Sequence, residues 1–122
     1  MKNIYSFLNV YEKKTARSKL VTQLLYGDTF KILNYKNKWI KIKNDIDNYK
    51  GYIKNKNFSE SKLANYKVST LYASLYSKPD KKCKIKKKLS YGSKLKVIDK
   101  KNNFYKFDKF WIIKKSLREI KY

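Results

Sequence analysis

The side chains able to do covalent or metal chemistry are few: the 122 residues contain no histidine and one cysteine. Without imidazole there is no Ser/His or Cys/His nucleophile pair, no imidazole metal ligand and no proton shuttle working near neutrality. Cys83 alone forms neither an intramolecular disulfide nor a cysteine-rich zinc site. The chain is therefore expected not to be an enzyme by itself, and no cofactor or metal is expected. What remains is binding chemistry. There are 12 Tyr, 6 Phe and 2 Trp as stacking surfaces, and 32 Lys and Arg against 9 Asp and Glu, for a net charge of +23.

The charge admits two explanations. Lys, Asn, Ile and Tyr fill 64 of the 122 positions, and all four are written by AT-rich codons, so much of the excess reads as drift at exposed sites that accept lysine readily. The alternative is an anionic partner, attracted in a salt-dependent way. Only Arg17 and Arg118 are arginines, and this shortage weighs against specific reading of nucleic acid, where bidentate guanidinium contacts matter. Residues 1–60 carry +8 and residues 61–122 carry +15. The excess peaks at Lys81, Lys82, Lys84, Lys86, Lys87 and Lys88, interrupted by Cys83 and Ile85. These lysines are candidate contacts to an anionic polymer, with Tyr76, Tyr91 and Phe104 as stacking faces, in the manner of small barrels that bind single strands. The competing reading is a solvated loop whose Ile85 turns inward as a strand begins.

A hydrophobic fraction of 42% with 16% aromatics predicts a folded chain. The start, MKNIYSFLNVYEKK, lacks the apolar core and cleavage site of a signal peptide. No stretch approaches the roughly 18 apolar residues of a membrane span. A soluble, cytoplasmic monomer is expected, and the unpaired cysteine agrees with a reducing compartment.

The elements that must position these residues emerge from an internal repeat. Sliding the chain by 65 positions aligns Val10–Ile42 with Leu75–Phe107 without a gap, with 10 of 33 pairs identical. Tyr26-Gly27 matches Tyr91-Gly92, Tyr11 matches Tyr76, and Trp39 stands opposite Phe104. Apolar pairs such as Leu20/Ile85, Phe30/Leu95, Ile32/Val97 and Ile42/Phe107 carry more weight than the lysine matches. Beyond residue 42 the segment 50–54, KGYIK, matches 109–113, KFWII, only if six residues are removed from the second copy, as if a hairpin had been shortened.

Each copy predicts short strands. The first has Ser6–Tyr11, Leu20–Tyr26, Asp28–Asn34, Trp39–Lys43 and Gly51–Lys54. The second has Leu71–Tyr76, Ile85–Tyr91, Ser93–Asp99, Phe104–Phe107 and Phe110–Ile113. Phe30, Ile32, Ile40 and Ile42 alternate with lysines at the period of two that buries one face. Two of the three glycines, Gly27 and Gly92, fall at equivalent turns, where positive φ is expected. The fold class is all-β. Residues 1–58 form the first domain, 59–67 the linker and 68–118 the second domain.

The run LNVYEKK, a long loop, LLYGDTFKIL, KNKWIKI and KGYIK resembles the bacterial SH3-like (SH3b) domain, and SLYSKPD, KLSYGSKLKVI, NNFYKF and FWIIK repeat it more weakly. The resemblance implies two tandem small SH3-like β-barrels. Such a pair is similar to the leading part of NlpC-type cell-wall cysteine peptidases of the dipeptidyl-peptidase VI kind. That likeness implies a non-catalytic part that gates substrate or binds muropeptides. The partners it implies are peptidoglycan-derived peptides or a peptidase domain, C-terminal or separate. No residue here matches that family's catalytic cysteine or histidine. The second function carried is a small basic protein that binds single-stranded nucleic acid.

An aromatic groove is implied between the first long loop and the three-residue loop. Its ligand-binding candidates are Tyr11, Trp39 and Tyr52 in the first copy and Tyr76, Phe104 and Trp111 in the second. Trp39 falls on the face opposite Ile40 and Ile42, so it is expected to be partly exposed and to offer a platform. The bland reading, preferred here, is that it covers a barrel end or packs between the copies, because a 60-residue barrel has a marginal core.

Overall fold

A computed structural model of the chain describes every residue except 37, 61, 62 and 122, with Lys36 described by its backbone alone. Asn37, which the 65-residue offset aligns with Asn102, and residues 61 and 62 of the expected linker thus lie outside the described residues. The protein is all-β and divides into two units, Met1–Ser61 and Lys62–Tyr122.

The first unit contains β1 (Phe7–Tyr11), β2 (Leu20–Leu25), β3 (Phe30–Lys36), β4 (Trp39–Asn44) and β5 (Lys50–Lys54). They form one antiparallel sheet in the order β2-β1-β5-β4-β3. The period of two decides what is buried. Ile40, Ile42 and Asn44 point inward from β4 while Trp39, Lys41 and Lys43 stay half-buried on the other face. Leu8 and Val10 from β1 and Ile53 from β5 join Leu24 and Phe30 in the core. Burying each such side chain contributes about 1.5–3 kcal/mol. Phe58 closes the core, its ring edge-on to Phe30 at 5.2 Å.

The second unit contains β6 (Tyr66–Val68), β7 (Tyr72–Tyr76), β8 (Lys84–Ser90), β9 (Lys94–Leu95), β10 (Val97–Lys101), β11 (Phe104–Phe107), β12 (Phe110–Ile113) and β13 (Leu117–Glu119). Short 3₁₀ turns at Lys81–Cys83 and Lys114–Ser116 precede β8 and β13. Five strands pair in the order β10-β11-β12-β7-β8, and β13-β6-β9 make a second, three-stranded sheet.

The five-stranded sheets share one topology and, except where Tyr11 faces Leu20 but Tyr76 faces Lys84, one register. Tyr11 faces Tyr52 as Tyr76 faces Trp111. Leu8 faces Leu24 as Ala73 faces Leu89, and Ile32 faces Ile42 as Val97 faces Phe107. Even the bulges coincide: the ladder skips Leu33 in β3 and Ile98 in β10, and the skipped residue is exposed in both. The missing six residues are a shortened hairpin. Ile42 faces Gly51 across residues 43–50, whereas Phe107 faces Phe110 across Asp108 and Lys109 alone.

The Tyr-Gly turns also correspond. Gly27 has φ 85° and Gly92 φ 90°, the left-handed region that a side chain disfavours. The Gly27 N–H donates to the Asn3 carbonyl at 2.9 Å, and the Gly92 N–H to that of Val68 at 3.0 Å. Val68 therefore stands where Asn3 does. Asn3 is fully buried, and its side chain ties the turn by donating to the carbonyls of Tyr5 and Leu25 and accepting the Tyr5 N–H.

Three sequence expectations need correction. The expected linker, 59–67, overlaps β6, which holds Tyr66 and Lys67, and the pairing of Glu119 with Tyr66 reaches one residue past the expected second domain, 68–118. A strand of three residues shows no measurable period, so its pattern is lost in a polar stretch. The expected single strand Ser93–Asp99 is broken at Lys96 into β9 and β10, which pair with β6 and β11 respectively. Among the described residues the two five-stranded sheets do not close into barrels: β2 and β3 are the edges of one sheet, and β8 and β10 of the other. Among the described residues no helix is long and apolar enough to cross a membrane.

Candidate functional site

In the first unit the candidate residues gather on the outward face of the sheet. Tyr11 ends β1, Tyr52 lies opposite it on β5, and Trp39 opens β4 opposite Lys54. The Tyr11 and Trp39 rings meet edge to face, 5.9 Å apart at 86°. Both are half-buried, so the pair keeps one side open to solvent. Beside it the Asn9 side chain donates to the Tyr11 hydroxyl at 3.2 Å and accepts from Gln23 at 2.8 Å. Two shallow hollows of about 370 and 440 Å³ flank the pair, one touching Tyr11 and the other Trp39, and Lys54 lines both. Lys14 lies 5.7 Å above the Tyr52 ring. An aromatic ledge with an ammonium on each side suits a flat or extended ligand that carries negative charge.

Tyr52 fits here because its neighbour is glycine. A Cβ on Gly51 would stand 2.5 Å from Val10 Cγ1 and 2.8 Å from the Tyr11 carbonyl oxygen. That close approach lets β5 lie tightly against β1 and brings Tyr52 beside Tyr11. In the second unit Phe110 occupies the equivalent place, with its ring 5.8 Å from that of Phe107.

The second unit builds the same pair and shuts it away. Tyr76 and Phe104 meet edge to face at 5.2 Å and 79°, but they are only 7% and 6% exposed. Their expected role as stacking faces for the lysine run is thereby corrected. Across the strands, Ile113 faces Phe104 where Lys54 faces Trp39, so an apolar neighbour replaces a cation. Trp111 is half-buried opposite Tyr76, with Lys106 Nζ 5.8 Å above its ring.

Behind Phe104 lies a cavity of about 490 Å³, bounded also by Tyr66, Tyr105, Ile113 and Leu117, with Lys81, Lys114 and Lys115 among its lining. The Tyr66 and Tyr105 rings meet edge to face at 5.3 Å. Lys100 Nζ donates to the Tyr66 hydroxyl at 3.3 Å and lies 4.9 Å above Tyr105. The hydrogen bond to Tyr66, followed by the charge of Tyr105, holds the Lys100 ammonium above its usual pKa range.

The lysine run is neither one loop nor one patch. Lys81 and Lys82 lie in a 3₁₀ turn whose N-cap is Asp80, its carboxylate accepting the Lys82 N–H at 2.9 Å. Lys84 to Lys88 belong to the edge strand β8, where Lys84, Lys86 and Lys88 are exposed and Ile85 and Lys87 half-buried. Lys87 Nζ lies 4.9 Å from the Phe110 ring and Lys88 Nζ 5.9 Å from that of Tyr72. Of the six, Lys81 alone lines the cavity that Phe104 lines. Sequence reasoning missed Tyr66, Lys114, Lys115 and Leu117; the one available signal was an aromatic residue inside a stretch read as linker.

Residues 6–59 match the family model of the bacterial SH3 domain. Over 98% of its length the chain is similar in fold, with a TM-score of 0.78 and 15% sequence identity, to a solved NlpC/P60 family protein from Bacillus cereus. It spans 55% of that chain. The sequence matches no curated protein.

Proposed function

We propose that the chain is a tandem pair of SH3b units that binds peptidoglycan-derived peptides. It would act as the non-catalytic, substrate-holding part of an NlpC-type peptidase of the dipeptidyl-peptidase kind, whose cysteine and histidine lie elsewhere. The observation that carries this reading is the half-open Tyr11–Trp39 pair, with Lys54 beside it, inside the segment that matches the bacterial SH3 family. The second unit supports the tandem reading through its equal strand order and register. The absence of histidine fits a part that holds its ligand and leaves cleavage to another domain.

The test is retention of the full chain on immobilised muropeptides at physiological salt. Retention is expected to persist there and to fall about tenfold or more in Trp39→Ala, the loss of one anchoring aromatic. Binding that vanishes with salt, or is equal for single-stranded DNA, would assign the affinity to bulk charge alone.

A further inference from the structure

We infer that the second unit carries a separate, preformed cavity that takes a short acidic peptide, a compact ligand with an apolar body and two carboxylates. In ligand class this rests on the peptide-binding reading above; in location it is new. The space of about 490 Å³ behind Phe104 falls within the roughly 300–1,000 Å³ of small-ligand sites. Its walls come from separate elements: Tyr66 from β6, Phe104 and Tyr105 from β11, Ile113 from β12 and Leu117 from β13. An apolar body in that space exchanges water for ring and methyl contacts.

The aromatic walls are already fixed. Phe104 is held by Tyr76, and Tyr105 by Tyr66, which Lys100 clamps through its hydroxyl. A ligand meets groups that need little ordering, which lowers the entropic cost of binding.

The charge at the cavity has one sign. Lys81 reaches it from the first 3₁₀ turn, Lys114 and Lys115 from the second, and among the described residues no carboxylate lines it. Backbone bonds hold both turns: the Cys83 N–H donates to the Asp80 carbonyl at 3.0 Å, and the Lys114 N–H to that of Asn103 at 2.8 Å. Cations delivered from two turns match a ligand with two anionic groups better than one with a single charge. An extended polymer is disfavoured here, since a compact space with apolar walls offers no continuous track.

The first unit does not repeat this lining. Following the repeat, Ala16 stands for Lys81, Asn55 for Lys114, and Lys54 for Ile113. Two cations of the cavity are thus missing, and a lysine replaces one apolar wall.

The test is a titration of the full, nitrogen-15-labelled chain with N-acetyl-leucyl-glutamate and with its diamide, followed by amide shifts near 0.15 M salt, where distant charges are screened. The dicarboxylate is expected to bind about tenfold tighter than the diamide, a difference of about 1.4 kcal/mol. Its shifts should centre on Asn103, Phe104, Tyr105 and residues 114–117. A Lys114→Ala/Lys115→Ala variant should retain its spectrum and lose most of that preference, whereas Lys86→Ala/Lys88→Ala on the open strand should keep it. Equal binding of acid and diamide, shifts spread along β8, or tighter binding of phenyl phosphate would overturn the inference. If the preference is absent while Trp39-dependent retention of muropeptides persists, the cavity site alone falls. If retention fails while the preference holds, the function proposed above falls and the cavity stands.

Discussion

Tyr11 with Trp39 and Tyr76 with Phe104 occupy the same places in two sheets of the same register, and they meet at nearly the same angle. One pair is a ledge and the other is core. The contrast follows from the residue across the strand: Lys54 beside Trp39 carries a charge that must stay in water, while Ile113 beside Phe104 has no such requirement. An aromatic at a given register position is therefore a surface or a core residue according to its cross-strand partner, and register position alone does not decide it.

The largest expected effect tests the closed pair. Phe104→Ala should cost about 3–5 kcal/mol, as for a large side chain removed from a core. The chain carries one tryptophan in each unit, Trp39 and Trp111. Urea unfolding followed by Trp111 fluorescence in a Trp39→Phe background therefore reads the second unit alone. A loss below about 1 kcal/mol would make both pairs surface features and erase the contrast.

Next comes the packing that brings Tyr52 to Tyr11. Gly51→Ala would press a methyl group onto Val10 and the Tyr11 backbone, and overpacking of this kind costs about 1–3 kcal/mol. Urea unfolding followed by Trp39 should show the first unit weakened and the second unmoved. The open pair should show the reverse of Phe104: Trp39→Ala is expected to shift stability by no more than about 1 kcal/mol while ligand retention falls. A collapse of the circular dichroism signal in that variant would show the ledge to be core.

The smallest effect is electrostatic. Because the folded-state pKa of Lys100 is raised, chiefly by its hydrogen bond to Tyr66, its contribution is fully present below the unfolded value of about 10.4 and is lost as pH rises through the folded value. Lys100 is exposed, so the change is slight. Lys100→Met should flatten this part of the alkaline stability loss in a pH series of thermal melts.

Much of this architecture was legible in the chain itself. The lysines alternating with Ile40 and Ile42 mark β4, and the repeated Tyr-Gly turns locate the hairpins, because inward and outward positions differ sharply in polarity. The 65-residue offset is the offset of the strand registers. Less visible were β6 and β13, each three residues long and too short to show alternation. The aromatic ledge could be read from Trp39 lying opposite the buried isoleucines. The cavity could not, since its walls meet only when β6, β11 and β13 converge, and nothing local in Tyr66 or Leu117 announces that meeting.

Gly51 has one more consequence. Two sheets of common register offer each other interchangeable backbone partners, the condition under which repeat proteins misassemble by exchanging strands. β12 laid beside β1 would satisfy the ladder's hydrogen bonds but would carry Phe110 into the space that Val10 and the Tyr11 carbonyl leave for a hydrogen atom alone. The missing side chain at position 51 is thus a steric condition of the β1–β5 ladder: a strand bearing a Cβ there would not fit against β1 without displacing Val10.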